Sequence, residues 1–205
     1  MTLTLTILGC GSSAGVPRPA LGWGACDPSN PKNRRRRCSI MAERTMEHGT
    51  TRVVIDTAPD LREQLIDASV EHIDAVFLTH EHADQTHGID DLRQLAYNMD
   101  RRIPVHADAQ TSAQLLDRFG YVFHTPEGSS YPPICTLLPI EGAFAVEGAG
   151  GPLRLLAWSA TPPVFDGPED RNGRRNHDEA AFWLTRLPPA RFVVVGDANL
   201  DPEDG

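Results

Sequence analysis

The stretch Ala75-Val76-Phe77-Leu78-Thr79-His80-Glu81-His82-Ala83-Asp84-Gln85-Thr86-His87-Gly88 decides the fold. Residues 75–79 make a short, nearly unbroken apolar run, the pattern of a strand buried on both faces. Three histidines and an aspartate then fall between positions 80 and 87. Ligands of open α/β sheets gather beyond the carboxyl ends of the strands, which is where this loop begins. Two histidines separated by one residue can both point at one ion from such a loop. Neutral imidazole suits zinc at about 2.0–2.1 Å, and the Asp84 carboxylate supplies charge. The residues themselves therefore predict a metal site centred on His80 and His82, with Asp84 beside them. His87 reads either as a further donor or as an ordinary loop residue.

Outward from this loop, strand and helix patterns alternate, which predicts an α/β architecture. Residues 2–8 alternate and are rich in Leu, Ile and Thr, as a strand requires. Positions 9–15 (Gly-Cys-Gly-Ser-Ser-Ala-Gly) are a small-residue loop that either lets backbone approach a ligand or makes a tight turn. An irregular excursion follows over 17–37. Residues 38–42 and 52–55 read as a strand pair around Gly49. Helices are expected over 60–68, with Leu61, Leu65 and Ile66 on one face, over 92–99 and over 109–119, with a strand at 104–106. Past residue 145 the reading is a strand at 153–158 and a polar loop over 161–176. Segment 180–187 is a strand or a short helix, the strand favoured by Phe182, Leu184 and the break at Pro188-Pro189. A buried strand closes the pattern at 191–195.

A chain of 205 residues can bury one sizeable core, and its length favours one domain. A hydrophobic fraction of 40% is that of an ordinary globular protein. The net charge of −9 disfavours non-specific binding of nucleic acid or of anionic membrane. Arg34 to Arg37 break the acidic trend, as a solvated loop or as an anion-collecting rim near a phosphate. No apolar run has the length of a membrane-spanning helix, and residues 2–8 do not read as a signal peptide. Cys10, Cys26, Cys38 and Cys135 are scattered and form no CxxC pair, so reduced thiols in a cytoplasmic protein are expected. A metal site on Cys26 and Cys38 would need two more ligands.

His80-x-His82-x-Asp84 resembles the signature of the metallo-β-lactamase superfamily, normally His-x-His-x-Asp-His. The run Leu8 to Pro17, the segment Ile55-Asp56-Thr57-Ala58-Pro59-Asp60-Leu61-Arg62 and the segment Gly88-Ile89-Asp90-Asp91-Leu92-Arg93 are similar to the branch that includes cyclic-phosphate phosphodiesterases of phosphonate breakdown. The resemblance covers residues 1 to about 150 and implies a four-layer αββα fold, here with its carboxy-terminal half shortened. It assigns Asp56 the role of a buried aspartate that supports the metal loop. Gln85 departs from the signature, because the family has a metal-binding histidine there. Asn176-His177, followed by Phe182 and Leu184, resembles the family's third-histidine segment, and Asp197 falls where a metal-bridging aspartate should sit. No histidine follows His177, so a terminal ligand is also missing. Both missing ligands serve the family's second metal, which implies one ion per chain, zinc or else manganese or iron, held by His80, His82, Asp84, His177 and Asp197.

Residues 162–173 and Val195-Gly196-Asp197-Ala198-Asn199 also resemble pieces of the endonuclease/exonuclease/phosphatase superfamily. A fusion with a junction near residue 150 is the expectation that follows. The first functional expectation is a phosphodiesterase that uses a metal-activated water, with Asp84 or Asp197 orienting the water and taking its proton. Its substrate would be a small-molecule phosphodiester, with the 34–37 arginines as candidates to meet its phosphate. Two alternatives stand beside it: hydrolysis of a lactone, thioester or β-lactam on the same site, and a truncated remnant that binds metal without turnover. A symmetric homodimer is expected as well, to cover a face of the second sheet that few residues remain to shield.

Overall fold

The computed structural model describes residues 1–141, 144–164, 167–187, 189 and 192–197. The chain divides into two compact units, Met1–Leu153 and Arg154–Gly205.

The first unit is built on a six-stranded sheet in the order β1-β2-β3-β4-β5-β6. These strands are β1 (Thr2–Gly9), β2 (Ser39–Met46), β3 (Gly49–Ile55), β4 (Ala75–Phe77), β5 (Ile103–Ala107) and β6 (Cys135–Pro139). The first three pair antiparallel, β2 and β3 as a hairpin and β1 with β2 across the long excursion that joins them. From β3 onward the pairing is parallel, and the connections carry the helices α1 (Leu61–Asp67), α2 (Ala83–Thr86), α3 (Arg93–Met99) and α4 (Ala109–Phe123). Register aligns Met41, Val54, Val76 and Val105 as one apolar row across four strands. That row packs with Leu61 and Leu65 of α1, Leu95 of α3, and Leu115 and Val122 of α4 in a single buried cluster. Asp108 caps α4 by accepting the Thr111 N–H at 2.7 Å. A two-residue strand, β7 (Ala145–Val146), lies near the end of this unit.

One helix face differs from expectation. Gln64 is buried in α1 and Ile66 is 55% exposed, so the inward row is Leu61, Gln64 and Leu65. The cause is a specific bond: Gln64 Nε2 donates to the Arg37 carbonyl at 2.9 Å, which makes burial of an amide tolerable. Strand β6 has no counterpart in the sequence reading, which assigns nothing between 120 and 152.

The second unit contains β8 (Leu153–Ser159, its first residue belonging to the first unit), α5 (Arg171–Leu184) and β9 (Val193–Asp197). Strands β8 and β9 pair parallel, from Leu155↔Val193 to Ser159↔Asp197. The expected loop over 161–176 is corrected from residue 171 onward, and the favoured strand over 180–187 is corrected as far as residue 184, since one helix occupies both stretches. Its polarity hid it. Asn176 is its only buried residue, and polar contacts run along it beside an edge-on meeting of Trp183 with Trp158: Arg175 pairs with Glu179 at 2.9 Å, one turn apart. Asn176 Nδ2 donates to the Thr161 carbonyl at 2.8 Å, and Glu179 Oε2 accepts the Thr161 N–H at 2.7 Å. Residue 191 of the expected last strand lies outside the described residues, and Val194 is 42% exposed rather than buried. No helix among the described residues is long and apolar enough to cross a membrane.

Candidate metal centre

The histidine loop hangs from the ends of β3 and β4, and polar contacts fix it there. Asp56 follows the last residue of β3 with φ +62, a left-handed conformation that aspartate tolerates better than most residues. Its N–H donates to the Phe77 carbonyl at 2.8 Å, and its side chain is buried. Asp56 Oδ1 accepts the Thr79 N–H at 2.8 Å and Oδ2 accepts the Thr79 hydroxyl at 2.8 Å. Thr79 Oγ1 also lies 3.0 Å from His80 Nδ1. A threonine hydroxyl has one proton, and the carboxylate takes it. Thr79 Oγ1 must therefore accept from His80, which places the imidazole proton on Nδ1 and leaves the lone pair on Nε2. Metal ligation through Nε2 needs that tautomer.

His80 Nε2 lies 3.1 Å from His82 Nδ1, with the two rings 75° apart. Two donors about 2.0–2.1 Å from one tetrahedral ion are roughly 3.4 Å apart, so this pair fits a shared ion with little movement. Asp84 accepts from Gln85 Nε2 at 3.1 Å. No set of three His, Cys, Asp or Glu side chains among the described residues converges as a metal group. The residues thus fit a metal as a pre-oriented histidine pair.

The backbone behind the pair is locked. The Gln85 carbonyl accepts from Thr57 N at 2.7 Å, and Gly88 N donates to the Thr57 carbonyl at 2.9 Å. A Cβ on Gly88 would lie 2.0 Å from the Ala58 carbonyl oxygen, so only glycine fits there. Thr86 Oγ1 donates to the His82 carbonyl at 2.9 Å. At the loop tip, Glu81 accepts from Gln110 Nε2 at 3.0 Å through its side chain and from Arg118 Nη1 at 2.8 Å through its carbonyl. Its own N–H, ahead of the Gln110 amide, holds the Glu81 carboxyl below the usual range. These contacts with α4 and the Thr79 link are parts of the site that the sequence reading did not assign. Thr79 had one signal, its position directly before the first histidine, whereas Gln110 and Arg118 had none.

His87 is exposed and meets the Phe119 ring edge-on at 5.3 Å. Gln85 is buried at 3% exposure, and its Oε1 has no hydrogen-bond partner. In the second unit, His177 sits on α5 with its side chain 79% exposed and Nδ1 3.3 Å from Asp178 Oδ1. Asp197 is the last residue of β9, and its side chain lies outside the described part.

The loop read as approaching a ligand and the arginines read as an anion rim both engage the chain itself. The loop over 9–15 approaches the chain itself: Gly11 N donates to the Arg36 carbonyl at 2.7 Å, and a Cβ on Gly11 would lie 2.8 Å from that oxygen. Of the four arginines, Arg36 pairs with Asp67 at 2.5 Å and Arg37 grips Asp60 through Nη2 at 2.7 Å and Nε at 2.9 Å. Arg34 and Arg35 are exposed.

Residues 51–204 match the family model described as a β-lactamase superfamily domain, across the region near residue 150. The chain belongs to the metallo-β-lactamase superfamily, a family of hydrolases, and its α/β architecture is that fold. Among solved structures it is similar to a diphosphatase of the PhnP family, with a TM-score of 0.58 and 22% identity over 99% of this chain and 91% of the other. It is also similar to zinc-bound PqqB from Methylobacterium extorquens, with a TM-score of 0.54 and 18% identity over 84% of this chain and 69% of the other. Among curated proteins, an octanoyltransferase of Porphyromonas gingivalis (strain ATCC BAA-308 / W83) is 31% identical over 152 residues, which are 73% of this chain. The match spans 30% of that relative's length.

Proposed function

We propose that the protein is a metal-dependent phosphodiesterase acting on a small-molecule phosphodiester. The observation that carries this reading is the convergence of His80 Nε2 and His82 Nδ1 at 3.1 Å, with His80 held in the metal-binding tautomer through Thr79 and Asp56. His80, His82 and Asp84 would hold one divalent ion, zinc in preference to manganese or iron because two donors are imidazole. When bound, such an ion acidifies water and offsets the charge that develops on the phosphoryl group. Asp84, with its carboxylate held by the Gln85 amide, is the base that would accept a proton from water. Thr86 and Gly88 keep the loop from yielding as substrate enters. The test is hydrolysis of bis(p-nitrophenyl) phosphate by zinc-loaded protein before and after chelation. Chelator-sensitive turnover supports the reading, and no turnover with zinc retained refutes it. The roles that the resemblance gives His177 and Asp197 are tested by H177A and D197A in the same assay.

A second reading is hydrolysis of an acyl ester or thioester at the same residues. The likeness to a protein named octanoyltransferase favours it, although the match spans 30% of that protein. One ion-activated water serves many electrophiles, and the fold does not choose among them. Faster turnover of p-nitrophenyl octanoate than of the phosphodiester would select this reading. Cleavage of nitrocefin would select a β-lactam.

A further inference from the structure

Positions 171, 174, 175, 178, 179, 182 and 183 have the spacing of one continuous face of α5. In a globular protein such a face is ordinarily apolar and packs on a core. Here it begins with Arg171, Arg174 and Arg175 and ends with Phe182 and Trp183. It borders a cleft of about 740 Å³ that Trp158 of β8 also lines. All of these residues belong to the second unit. At the aromatic end, Trp158 meets Trp183 edge-on with ring centroids 6.4 Å apart, and Phe182 meets Trp183 edge-on at 5.8 Å. The Arg186 guanidinium lies over the Phe182 ring at 4.8 Å, which leaves the two half-buried tryptophans to receive a further ring. At the charged end, three guanidinium groups stand against the carboxylates of Asp178 and Glu179. Glu179 is satisfied within the unit, by Arg175 at 2.9 Å and the Thr161 N–H at 2.7 Å. Asp178 lies 3.3 Å from His177. Arg171 pairs with Glu169 at 2.5 Å, but the two side chains are 79% and 64% exposed, and such pairs are worth little in water. Arg174 forms no ion pair among the described residues. Arg171 and Arg174, one turn apart, are therefore open to an anion, and guanidinium groups grip phosphate with two parallel bonds.

We propose that this cleft binds a nucleoside phosphate, with the base stacked on the tryptophans and the phosphate held by Arg171 and Arg174. Arg174 and Trp183 are nine positions apart on α5, a rise of about 13–14 Å. A ligand that engages both ends must carry its ring and its anion on a spacer, as ribose carries them in a nucleotide. A phosphate joined directly to an aromatic ring is too short. The volume lies within the range of small-molecule sites, about 300–1,000 Å³. The net charge of −9 favours a mononucleotide over a nucleic acid, whose row of phosphates the acidic chain repels. The site is built from the second unit alone and does not depend on the proposed hydrolytic reaction.

Isothermal titration calorimetry of the full-length protein with adenosine 5′-monophosphate tests this, with adenosine and inorganic phosphate as the two halves of the probe. The nucleotide should bind more tightly than either half. Trp183→Ala should weaken nucleotide binding about tenfold, the usual cost of losing a stacking platform, and Trp183→Phe should recover most of it. Arg174→Ala changes an exposed side chain and leaves folding aside. It should weaken the nucleotide and spare adenosine. His80→Ala should leave nucleotide affinity unchanged, which separates this cleft from the metal centre. The proposal is overturned by no binding at millimolar nucleotide, by inorganic phosphate binding as tightly as the nucleotide, or by unchanged affinity in Arg174→Ala. Loss of binding in His80→Ala, or tighter binding of a single-stranded oligoadenylate than of the mononucleotide, overturns it as well.

Discussion

Thr79 joins Asp56 to His80: its hydroxyl reaches the Asp56 carboxylate at 2.8 Å, and its oxygen lies 3.0 Å from His80 Nδ1. A buried carboxylate thus sets the protonation of an imidazole through the threonine hydroxyl that bonds both. Thr79→Val keeps the shape and removes the link. Metal affinity should fall about 10–100-fold, the usual cost of losing a group that orients a ligand, and Thr79→Ser should restore it. Competition with a chromogenic chelator measures this. Equal affinity in Thr79→Val would mean that the hydroxyl merely fills space.

His80→Ala removes one of the two convergent donors. The expected outcome is loss of retained metal after dialysis and hydrolysis at background, with the far-ultraviolet circular dichroism unchanged because His80 lies in a loop. Elemental analysis beside the activity assay checks it, and full activity in the variant would sink the proposed centre.

Much of this centre was legible before the fold was known, for local reasons. A buried strand feeding His80-x-His82-x-Asp84 encodes its geometry within ten residues, and Asp56 was placed by the segment around it. What was not legible depends on distant pairing. Gln64 reads as a surface residue of an amphipathic helix until the Arg37 carbonyl comes beside it. Helix α5 escaped because most of its residues are polar and Gly173 lies in its first turn, so its composition is that of a loop.

The resemblance puts Gln85 where the family signature has a histidine; its side chain is 3% exposed and its amide nitrogen lies 3.1 Å from Asp84. Imidazole binds zinc far better than a carboxamide does. Gln85→His should raise the metal content from about one ion per chain toward two, or raise phosphodiester turnover. If neither moves, position 85 faces away from the metal.

Gly88→Ala tests the backbone behind the loop. The added methyl would meet the Ala58 carbonyl at 2.0 Å and Leu61 Cβ at 2.9 Å, and neither can withdraw without moving α1 or the Thr57–Gly88 bond. A loss of at least about 2 kcal/mol is expected, typical of overpacking against fixed atoms. Urea denaturation measures it, and metal affinity should fall in parallel. A variant as stable as the parent would show that the loop has slack.

Asp60 offers a pH test. The Arg37 guanidinium holds its carboxyl below the usual range, through a side-chain hydrogen bond that outweighs the opposing effect of burial. Neither partner is more than a third exposed, at 31% and 27%, so solvent does not fully screen the pair. A carboxyl whose pKa is lower in the folded state gives stability that is complete above its unfolded pKa, about 3.9. That stability is lost as the pH falls through the folded value. Asp60→Asn removes the titration. Near neutral pH the variant should therefore be less stable than the parent, and the difference should hold down to about pH 5. Below about pH 4 it should narrow, because the parent's Asp60 begins to protonate and its pairing with Arg37 weakens. Urea midpoints for both proteins at several pH values test this. A gap that stays constant into acid would mean that Asp60 does not contribute through its charge.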